Sequence, residues 1–241
     1  MRIIRNQELD MNEPLWRYFR TERFLELLQS NQLYFAAVRQ FDDPFEGALA
    51  VLPPGFPLDP RYAEPEFGEK SFEELRRLTK VSCWHRASYE SDAMWQLYAG
   101  SGKGVAVRTN PNRIGDAAKP FRLKPEYGYE DLWAGNVNYV DLLKRRLRVS
   151  MMDRFWHKHM TFAWEQEFRL AVSVRTAEES GVRVPEHGVK VEFDVRQLIE
   201  RIYLGPSLPE TDVLAIRASA KANGLEDRIR VTSMLGTPRY T

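Results

Sequence analysis

Two acidic side chains and an arginine alternate with other residues in the segment Trp164-Glu165-Gln166-Glu167-Phe168-Arg169-Leu170. We predict a strand over residues 162–174, and side chains two apart on a strand share a face, here Glu165, Glu167 and Arg169. Neighbouring carboxylates raise the pKa of one of them, which suits general acid–base catalysis, and such a patch can bind hydroxyls or a developing cation. Glu167 and Glu165 are therefore candidate catalytic residues. The same spacing also fits a solvated strand face with a surface ion pair.

Two other groups of reactive side chains are weaker candidates. Cys83 and His85 lie two apart on a strand predicted over residues 81–85, but side chains so placed stand side by side, and no third group orients the histidine. His157 and His159 diverge by about 200° at the end of a predicted helix, whereas zinc sites on helices usually use spacings of three or four. We predict no metal site.

The whole chain has an almost balanced charge. Its 241 residues include 35 basic and 34 acidic side chains, which give a net charge of +1 and no overall attraction for nucleic acid or an anionic membrane. Cys83 is the one cysteine, so no internal disulfide can form. No apolar run approaches the ~20 residues that span a bilayer, and the first residues have no apolar core typical of a secretory signal. We expect a cytoplasmic protein without membrane association or a strong nucleic-acid signal.

Short strands and helices alternate along the sequence. They predict an α+β fold: a single domain over residues 1–241, with a central mixed β-sheet flanked by helices, a Pro-rich excursion at about 53–70 and a C-terminal βαβ unit. Residues 110–136 are expected to be irregular. Predicted strands cover residues 15–19, 33–38, 81–85, 105–108, 162–174, 189–193, 201–205 and 229–232. Predicted helices cover residues 21–31, 71–80, 91–98, 141–159 and 209–222.

Several segments, in order, are similar to a bacterial family catalogued as domain of unknown function 2971, over residues 15–235. They are Trp16-Arg17-Tyr18, Leu33-Tyr34-Phe35, Asp42-Asp43-Pro44-Phe45-Glu46, Ser82-Cys83-Trp84, Met94-Trp95-Gln96-Leu97-Tyr98-Ala99, Gly102-Lys103-Gly104-Val105, Lys158, Trp164-Glu165-Gln166-Glu167-Phe168-Arg169 and Ile202-Tyr203-Leu204-Gly205. The family tends to have Asn where Asp42 stands here. The resemblance implies no established activity, although some relatives look like parts of phage-defence loci.

A more distant resemblance suggests a mechanism. Many ADP-ribosyltransferases carry an Arg on the first strand, a Ser-x-Ser or Ser-x-Thr strand and a late Glu-x-Glu, and Arg17, Ser82 and Glu165-x-Glu167 follow that order. Trp84 stands where the family has its second Ser or Thr. The resemblance implies that Glu167 stabilises an oxocarbenium-like transition state and that Glu165 assists or selects the acceptor.

This resemblance also implies NAD as the substrate, which is a small-molecule nucleotide partner; no cofactor is assigned. Arg17 and Tyr18 would bind it, together with Ser82 and Arg169. Trp95 and Tyr98, three apart on a predicted helix, would share a face and wall the pocket. The hypothesis is an NAD-using transferase or glycohydrolase that acts as a cytoplasmic effector.

Two alternatives from other classes stay open. The first is a non-enzymatic sensor or protein-interaction module, with the helix face of Trp95 and Tyr98 and the Pro-rich loop as its binding surface. The second is a hydrolase that uses carboxylates, with or without a divalent cation; magnesium or manganese would suit such ligands. Its carboxylates would be Asp43, Glu46, Glu165 and Glu167.

Overall fold

The computed structural model describes residues 2–5, 7–51, 65–236 and 238–240. The predicted α+β class with a mixed β-sheet and helices is confirmed. The described residues form two compact units, whereas the grouping of residues 1–241 into one domain stays a prediction. Most of the predicted Pro-rich excursion, up to residue 64, lies outside the described residues. No helix in the described ranges is long and apolar enough to cross a membrane.

The strands and helices are numbered in chain order. The strands are β1 (Ile3–Arg5), β2 (Leu15–Arg20), β3 (Gln32–Ala37), β4 (Thr79–Arg86), β5 (Gly104–Thr109), β6 (Leu132–Asn136), β7 (Asn138–Val140), β8 (His157–His159), β9 (Glu167–Ser173), β10 (Gly188–Glu192), β11 (Arg201–Leu204) and β12 (Ile229–Val231). The helices are α1 (Thr21–Ser30), α2 (Pro65–Leu78), α3 (Asp92–Tyr98), α4 (Pro111–Ala117), α5 (Arg175–Glu179), α6 (Val195–Leu198) and α7 (Glu210–Ala222).

The first unit lies within residues 1–9, 34–83 and 120–190. Its strands follow the order β1-β6-β9-β4, and β3 pairs with both β4 and β10. The β1–β6 pair is parallel, whereas β6–β9 and β3–β4 are antiparallel. Six of the seven β9 residues are buried, so both faces of this inner strand contact protein. A separate parallel pair, β7 and β8, contributes residues of the candidate site.

Aliphatic and aromatic side chains from distant segments fill the core of this unit. They are Val38, Leu75, Val81, Phe155, Trp156 and Ala171, each at most 6% exposed. The indole Nε1 of Trp156 donates a hydrogen bond to the Gly135 carbonyl at 3.1 Å. This bond fixes the short 3₁₀ turn Asp153–Trp156 against β6. The turn leads directly into β8 and therefore sets the position of that strand.

The second unit lies within residues 10–33, 84–119 and 191–241. The end of β4 pairs with β2, and the order continues through β5 to β11, all antiparallel. Strands β11 and β12 are parallel and joined by α7, which confirms the predicted C-terminal βαβ unit. The core of this unit contains Trp16, Tyr18, Met94, Trp95, Ala99 and Ala106.

Local sequence signals explain where two helices begin and end. The Ser91 hydroxyl accepts a hydrogen bond from Met94 N and caps α3, which lies within the helix predicted over residues 91–98. Helix α1 begins at Thr21 with Arg20 in the capping position, and the Thr21 hydroxyl donates to the Lys103 carbonyl. Asn31, with a φ of 56°, ends α1 in the left-handed conformation that asparagine tolerates.

Three predicted segments before residue 160 are wrong. The helix predicted over 141–159 is replaced by turns, coil, the turn Asp153–Trp156 and β8. Residues 110–136, predicted to be irregular, contain α4 and β6; Asn110 caps α4, and Pro111 occupies its first turn. The helix predicted at 71–80 begins earlier, at Pro65, and gives way to β4 at Thr79. The apolar spacing in 141–159 resembles a helix because buried turns also need apolar anchors.

Gly47, which follows the segment Asp43-Pro44-Phe45-Glu46, adopts a φ of +75°. An added Cβ would lie 2.9 Å from Phe155 Cε1 and 3.0 Å from Phe72 Cζ. We expect Gly47→Ala to lower the free energy of unfolding by about 2 kcal/mol, since it combines backbone strain with overpacking. Gly128→Ala is the matched control for chemical denaturation, because its Cβ would meet no atom within 4 Å. Equal stability of the two variants would contradict the expectation.

Candidate active site

Arg169 lies at the centre of a buried ion-pair network in the first unit. Its side chain is fully buried, and Nη1 and Nη2 donate to the two carboxylate oxygens of Glu46 at 2.5 and 2.9 Å. Nε donates to Glu167 Oε2 at 2.5 Å, and Nη1 also donates to the Phe155 carbonyl at 2.7 Å. The planar guanidinium of Arg169 therefore holds the carboxylates of Glu46 and Glu167, which lie 121 positions apart in the sequence.

Lys158, on β8, is the second cation of the network. Its side chain is 5% exposed, and Nζ donates to Glu167 Oε1 at 3.0 Å and also to Glu165 Oε2. The ammonium lies 4.6 Å from the centroid of the Phe162 ring. Burial by itself lowers the pKa of Lys158, but the negative charge of Glu167 and the hydrogen bond to Glu165 outweigh it. The pKa is therefore raised above its ordinary value, and the ammonium stays charged at neutral pH.

The backbone between Glu165 and Glu167 explains how both carboxylates reach Lys158. Glu165 ends the 3₁₀ turn Met160–Glu165, and Gln166 adopts a left-handed conformation with a φ of 45°. Strand β9 begins only at Glu167, so the predicted strand over 162–174 is wrong at its start. Glu167 and Arg169 share a strand face, whereas Glu165 approaches from the turn instead of from the strand. The side chain of Gln166 is exposed.

Tyr139 and the parallel β7–β8 pair support the same geometry. In the register of that pair, Tyr139 lies beside Lys158. The Tyr139 hydroxyl accepts a hydrogen bond from the backbone N–H of Glu167 at 2.8 Å. Burial raises the pKa of Tyr139, and the charge of Glu167 adds to the effect, so the phenol stays protonated. This contact fixes the first residue of β9, where ladder pairing begins.

A tight turn brings a third and a fourth carboxylate to the network. Asp43 Oδ1 accepts a hydrogen bond from Phe45 N at 2.8 Å, and Glu46 N donates to the Asp43 carbonyl at 3.2 Å. These bonds are typical of Asp and Pro in a turn, where the Asp side chain bonds to the backbone two residues later. Glu46 is 1% exposed and Asp43 is 6% exposed. Asp43 Oδ2 lies 3.9 Å from Lys158 Nζ.

The network holds more negative than positive groups. Its four carboxylates, Asp43, Glu46, Glu165 and Glu167, are all buried and face two buried cations, Lys158 and Arg169. Burial raises the pKa of Glu165 to about 7, and its hydrogen bond and charge interaction with Glu167 add to the effect. Burial alone would raise the pKa of Glu167 too, but Arg169 and Lys158 hold it well below its ordinary value. One carboxyl thus titrates near neutrality while its neighbour stays ionised.

The raised pKa of Glu165 predicts that the free energy of unfolding depends on pH. The folded-state pKa of Glu165, about 7, exceeds its ordinary 4.5, so between these values the folded chain retains a proton that the unfolded chain releases. The free energy of unfolding should therefore fall as pH rises through that window, by up to about 1.4 kcal/mol per pH unit. Glu165→Gln removes this contribution. In chemical denaturation at pH 5, 6, 7 and 8, we expect wild type to lose stability relative to the variant; a constant difference would contradict the assignment.

The structure brings three predicted site residues together: Glu165, Glu167 and Arg169. Arg169, predicted to bind a cofactor, makes its hydrogen bonds to Glu46, Glu167 and the protein backbone. Ser82, also predicted to bind a cofactor, is 1% exposed on the part of β4 that belongs to the same unit.

The other four predicted site residues lie in the second unit. The guanidinium of Arg17 lies over the rings of Phe19 and Trp84, at 5.3 and 5.7 Å. Tyr18 is buried; its hydroxyl accepts from Ser91 N at 2.8 Å, and its ring meets that of Trp95 edge-on at 5.1 Å. Trp95 is fully buried, whereas Tyr98 is 50% exposed. Their assignment to a cofactor stays a prediction.

The sequence pattern misses three members of the network as site residues. Lys158 enters only through the family resemblance, because the pattern predicts a helix over residues 141–159 that does not form. Asp43 and Glu46 enter only as carboxylates of a metal-dependent hydrolase. The signal for further buried partners is the pair Glu167 and Arg169 on a strand whose other residues are mostly apolar, because buried charges need partners of opposite sign.

Two weaker candidates gain no support. Burial raises the pKa of the Cys83 thiol well above its ordinary range, and Glu167 adds to the effect, so the thiol stays protonated. His157 Nδ1 lies within hydrogen-bond distance of the Asp153 carbonyl, at 2.9 Å. Within the described ranges, no group of three or more His, Cys, Asp or Glu side chains is arranged to hold a metal ion.

Comparison of the chain with known proteins adds no relative. No family model, no curated protein and no solved structure matches it. The similarity to domain of unknown function 2971 therefore stays a prediction. Function is inferred below from the geometry of the described residues.

Proposed function

We propose that this chain is a cytoplasmic, NAD-using enzyme of the ADP-ribosyltransferase-like or NAD-glycohydrolase-like type, in the bacterial family catalogued as domain of unknown function 2971. The observation that carries the proposal is the excess of buried negative charge: four buried carboxylates face two buried cations. Such a cluster favours a ligand that is positively charged or becomes so during the reaction.

The substrate follows from that charge. The nicotinamide ring of NAD⁺ is cationic, and when its bond to the ribose breaks, positive charge moves onto the ribose carbon. The ionised Glu167, with a lowered pKa, would stabilise this oxocarbenium-like state. Lys158 and Arg169 hold its two carboxylate oxygens in place, which keeps the charge oriented before the reaction begins.

Glu165 would act as the general base for the attacking nucleophile. With a pKa of about 7, roughly half of these side chains are ionised at neutral pH and can accept a proton from water or an acceptor hydroxyl. The oxygen of that nucleophile bonds to the ribose carbon, the carbon–nitrogen bond breaks, and nicotinamide leaves with the bonding electron pair as a neutral molecule. Carboxyl pairs with separated pKa values are a recurrent arrangement for such divided roles.

Aromatic side chains near the carboxylates are suited to stacking against a flat ligand. The Phe45 ring lies 5.3 Å from the His159 ring, and Phe162 lies over the Lys158 ammonium. Trp164, adjacent to Glu165 in sequence, is 47% exposed, so part of its ring surface is open to contact. Stacking on such rings suits a nicotinamide or adenine base.

A thermal-shift comparison of NAD⁺ with NADH tests the charge argument. The two ligands share every group except the nicotinamide, which is cationic in one and neutral in the other. We expect NAD⁺ at about 100 times its Kd to stabilise the folded protein by about 2.7 kcal/mol, and NADH at equal concentration to stabilise it less than half as much. Equal shifts, or no shift with intact NAD⁺, would contradict the proposal.

One observation favours the non-enzymatic alternative. Leu97 and Tyr98 on α3 are 60% and 50% exposed, and such apolar surface suits a partner protein. Under this alternative, Leu97→Asp would abolish binding to a partner while every Glu165 and Glu167 variant retained it. The metal-dependent hydrolase would instead require an activity that a chelator removes.

A further inference from the structure

One buried carboxylate oxygen of the network accepts no hydrogen bond from the described part of the chain. Asp43 is 6% exposed, and its Oδ1 accepts the Phe45 N–H. Its Oδ2 is buried and has no hydrogen-bond partner among the residues that the structure describes. A buried acceptor without a donor is unfavourable, so we expect a donor from outside the described chain at this oxygen.

The Lys158 ammonium lies near this oxygen of Asp43 but does not bond to it. Lys158 Nζ lies 3.9 Å from Asp43 Oδ2, too far for a direct hydrogen bond. Two of the three ammonium N–H groups serve Glu165 and Glu167. One oxygen atom about 2.8 Å from both Asp43 Oδ2 and Lys158 Nζ would close this gap with an angle near 90° at that oxygen.

We propose that Asp43 and Lys158 form a subsite for one hydroxyl group of the substrate. The hydroxyl oxygen accepts a hydrogen bond from Lys158 Nζ, and its proton is donated to Asp43 Oδ2. The occupant must both accept and donate, as a hydroxyl group or a water molecule does. A phosphate or carbonyl oxygen would leave Asp43 facing a second acceptor, and an ammonium would leave Lys158 facing a second donor. Resting on the proposed function, the inference assigns this hydroxyl to the ribose that carries nicotinamide.

The first test uses a hydroxyl-rich probe and needs no turnover. Crystals of wild type, Asp43→Asn and Asp42→Asn would be soaked in D-ribose. The Asn variant keeps the acceptor for Phe45 N but places an amide donor where Oδ2 was; Asp42 is the exposed neighbour and serves as the control. We expect a ribose hydroxyl between residues 43 and 158 in wild type and Asp42→Asn, and none in Asp43→Asn. Ribose bound elsewhere, or equally in all three, would be an adventitious additive only. Either that result or a water molecule between residues 43 and 158 in ribose-soaked wild type would overturn the subsite.

The second test measures specificity with NAD⁺ analogues that lack the 2′- or the 3′-hydroxyl of the nicotinamide ribose. We expect one analogue to lose about 10–100-fold in kcat/KM with wild type, and Asp43→Asn to discriminate by less than threefold. Unchanged discrimination in Asp43→Asn would overturn the assignment of that hydroxyl. If ribose occupies the subsite but no variant consumes NAD⁺, the subsite stands and the proposed function fails.

Discussion

Replacement of Arg169 by methionine is expected to lower the free energy of unfolding by about 3–5 kcal/mol. The guanidinium is fully buried and makes hydrogen bonds to Glu46, Glu167 and the Phe155 carbonyl. Its removal leaves two buried carboxylates with one cation fewer, and the fully buried Glu46 loses its bidentate partner. Chemical denaturation at pH 7 measures the effect.

Two further variants separate this cause from a general loss of packing. Adding Glu46→Gln to Arg169→Met removes the stranded charge, so the double variant should be more stable than Arg169→Met alone. Arg175→Met is the surface control, because Arg175 pairs with Glu179 and both side chains are more than half exposed; we expect a change within about 0.5 kcal/mol. Stability of Arg169→Met within about 1 kcal/mol of wild type would contradict a network that depends on this arginine.

Glu167→Gln is expected to slow the consumption of NAD⁺ by about 10²–10³-fold. Glutamine keeps the shape of the side chain but supplies no negative charge to the ribose in the transition state. Its amide N–H₂ would also face the donors of Lys158 or Arg169, which hold the two carboxylate oxygens in the wild type. The initial rate of nicotinamide release, measured at a temperature where the variant is folded, gives the effect.

Glu186→Gln provides the control for loss of one acidic charge. Glu186 is 55% exposed and pairs with Arg39, outside the network, so its variant should keep the wild-type rate. A role of Glu167 in folding alone would appear as a lower melting temperature with an unchanged rate in the folded fraction. That result would remove Glu167 from the reaction.

The sequence indicates parts of this site through local rules and misses the rest. Glu167 and Arg169 share a face because strand side chains alternate, which is a local property. Glu165 reaches the same cluster only because Gln166 adopts a φ of 45°, and no pattern in the sequence marks that residue as the end of a turn. The shared location of the two carboxylates was predicted, but for the wrong backbone reason at Glu165.

The position of Lys158 depends on tertiary contacts that the local sequence does not reveal. Apolar residues at helix-like spacing precede it and predict a helix. In the structure the Trp156 indole bonds to the Gly135 carbonyl, and a short turn and strand form there. Glu46 likewise reaches Arg169 across more than a hundred residues of chain. By contrast, the helix predicted over residues 91–98 and the βαβ unit around α7 follow from local helix-start signals and short connections, and both predictions are confirmed.

Release of nicotinamide from NAD⁺ by the purified wild-type protein at pH 7 distinguishes the proposed reaction from a purely structural role of the buried carboxylates. We expect many turnovers per protein molecule, with one ADP-ribose, free or attached to an acceptor, for every nicotinamide released, and no products from NADH. Intact NAD⁺ after prolonged incubation with folded protein, both alone and with cell extract as a source of acceptors, would contradict it. The buried carboxylates would then serve the fold and not this reaction.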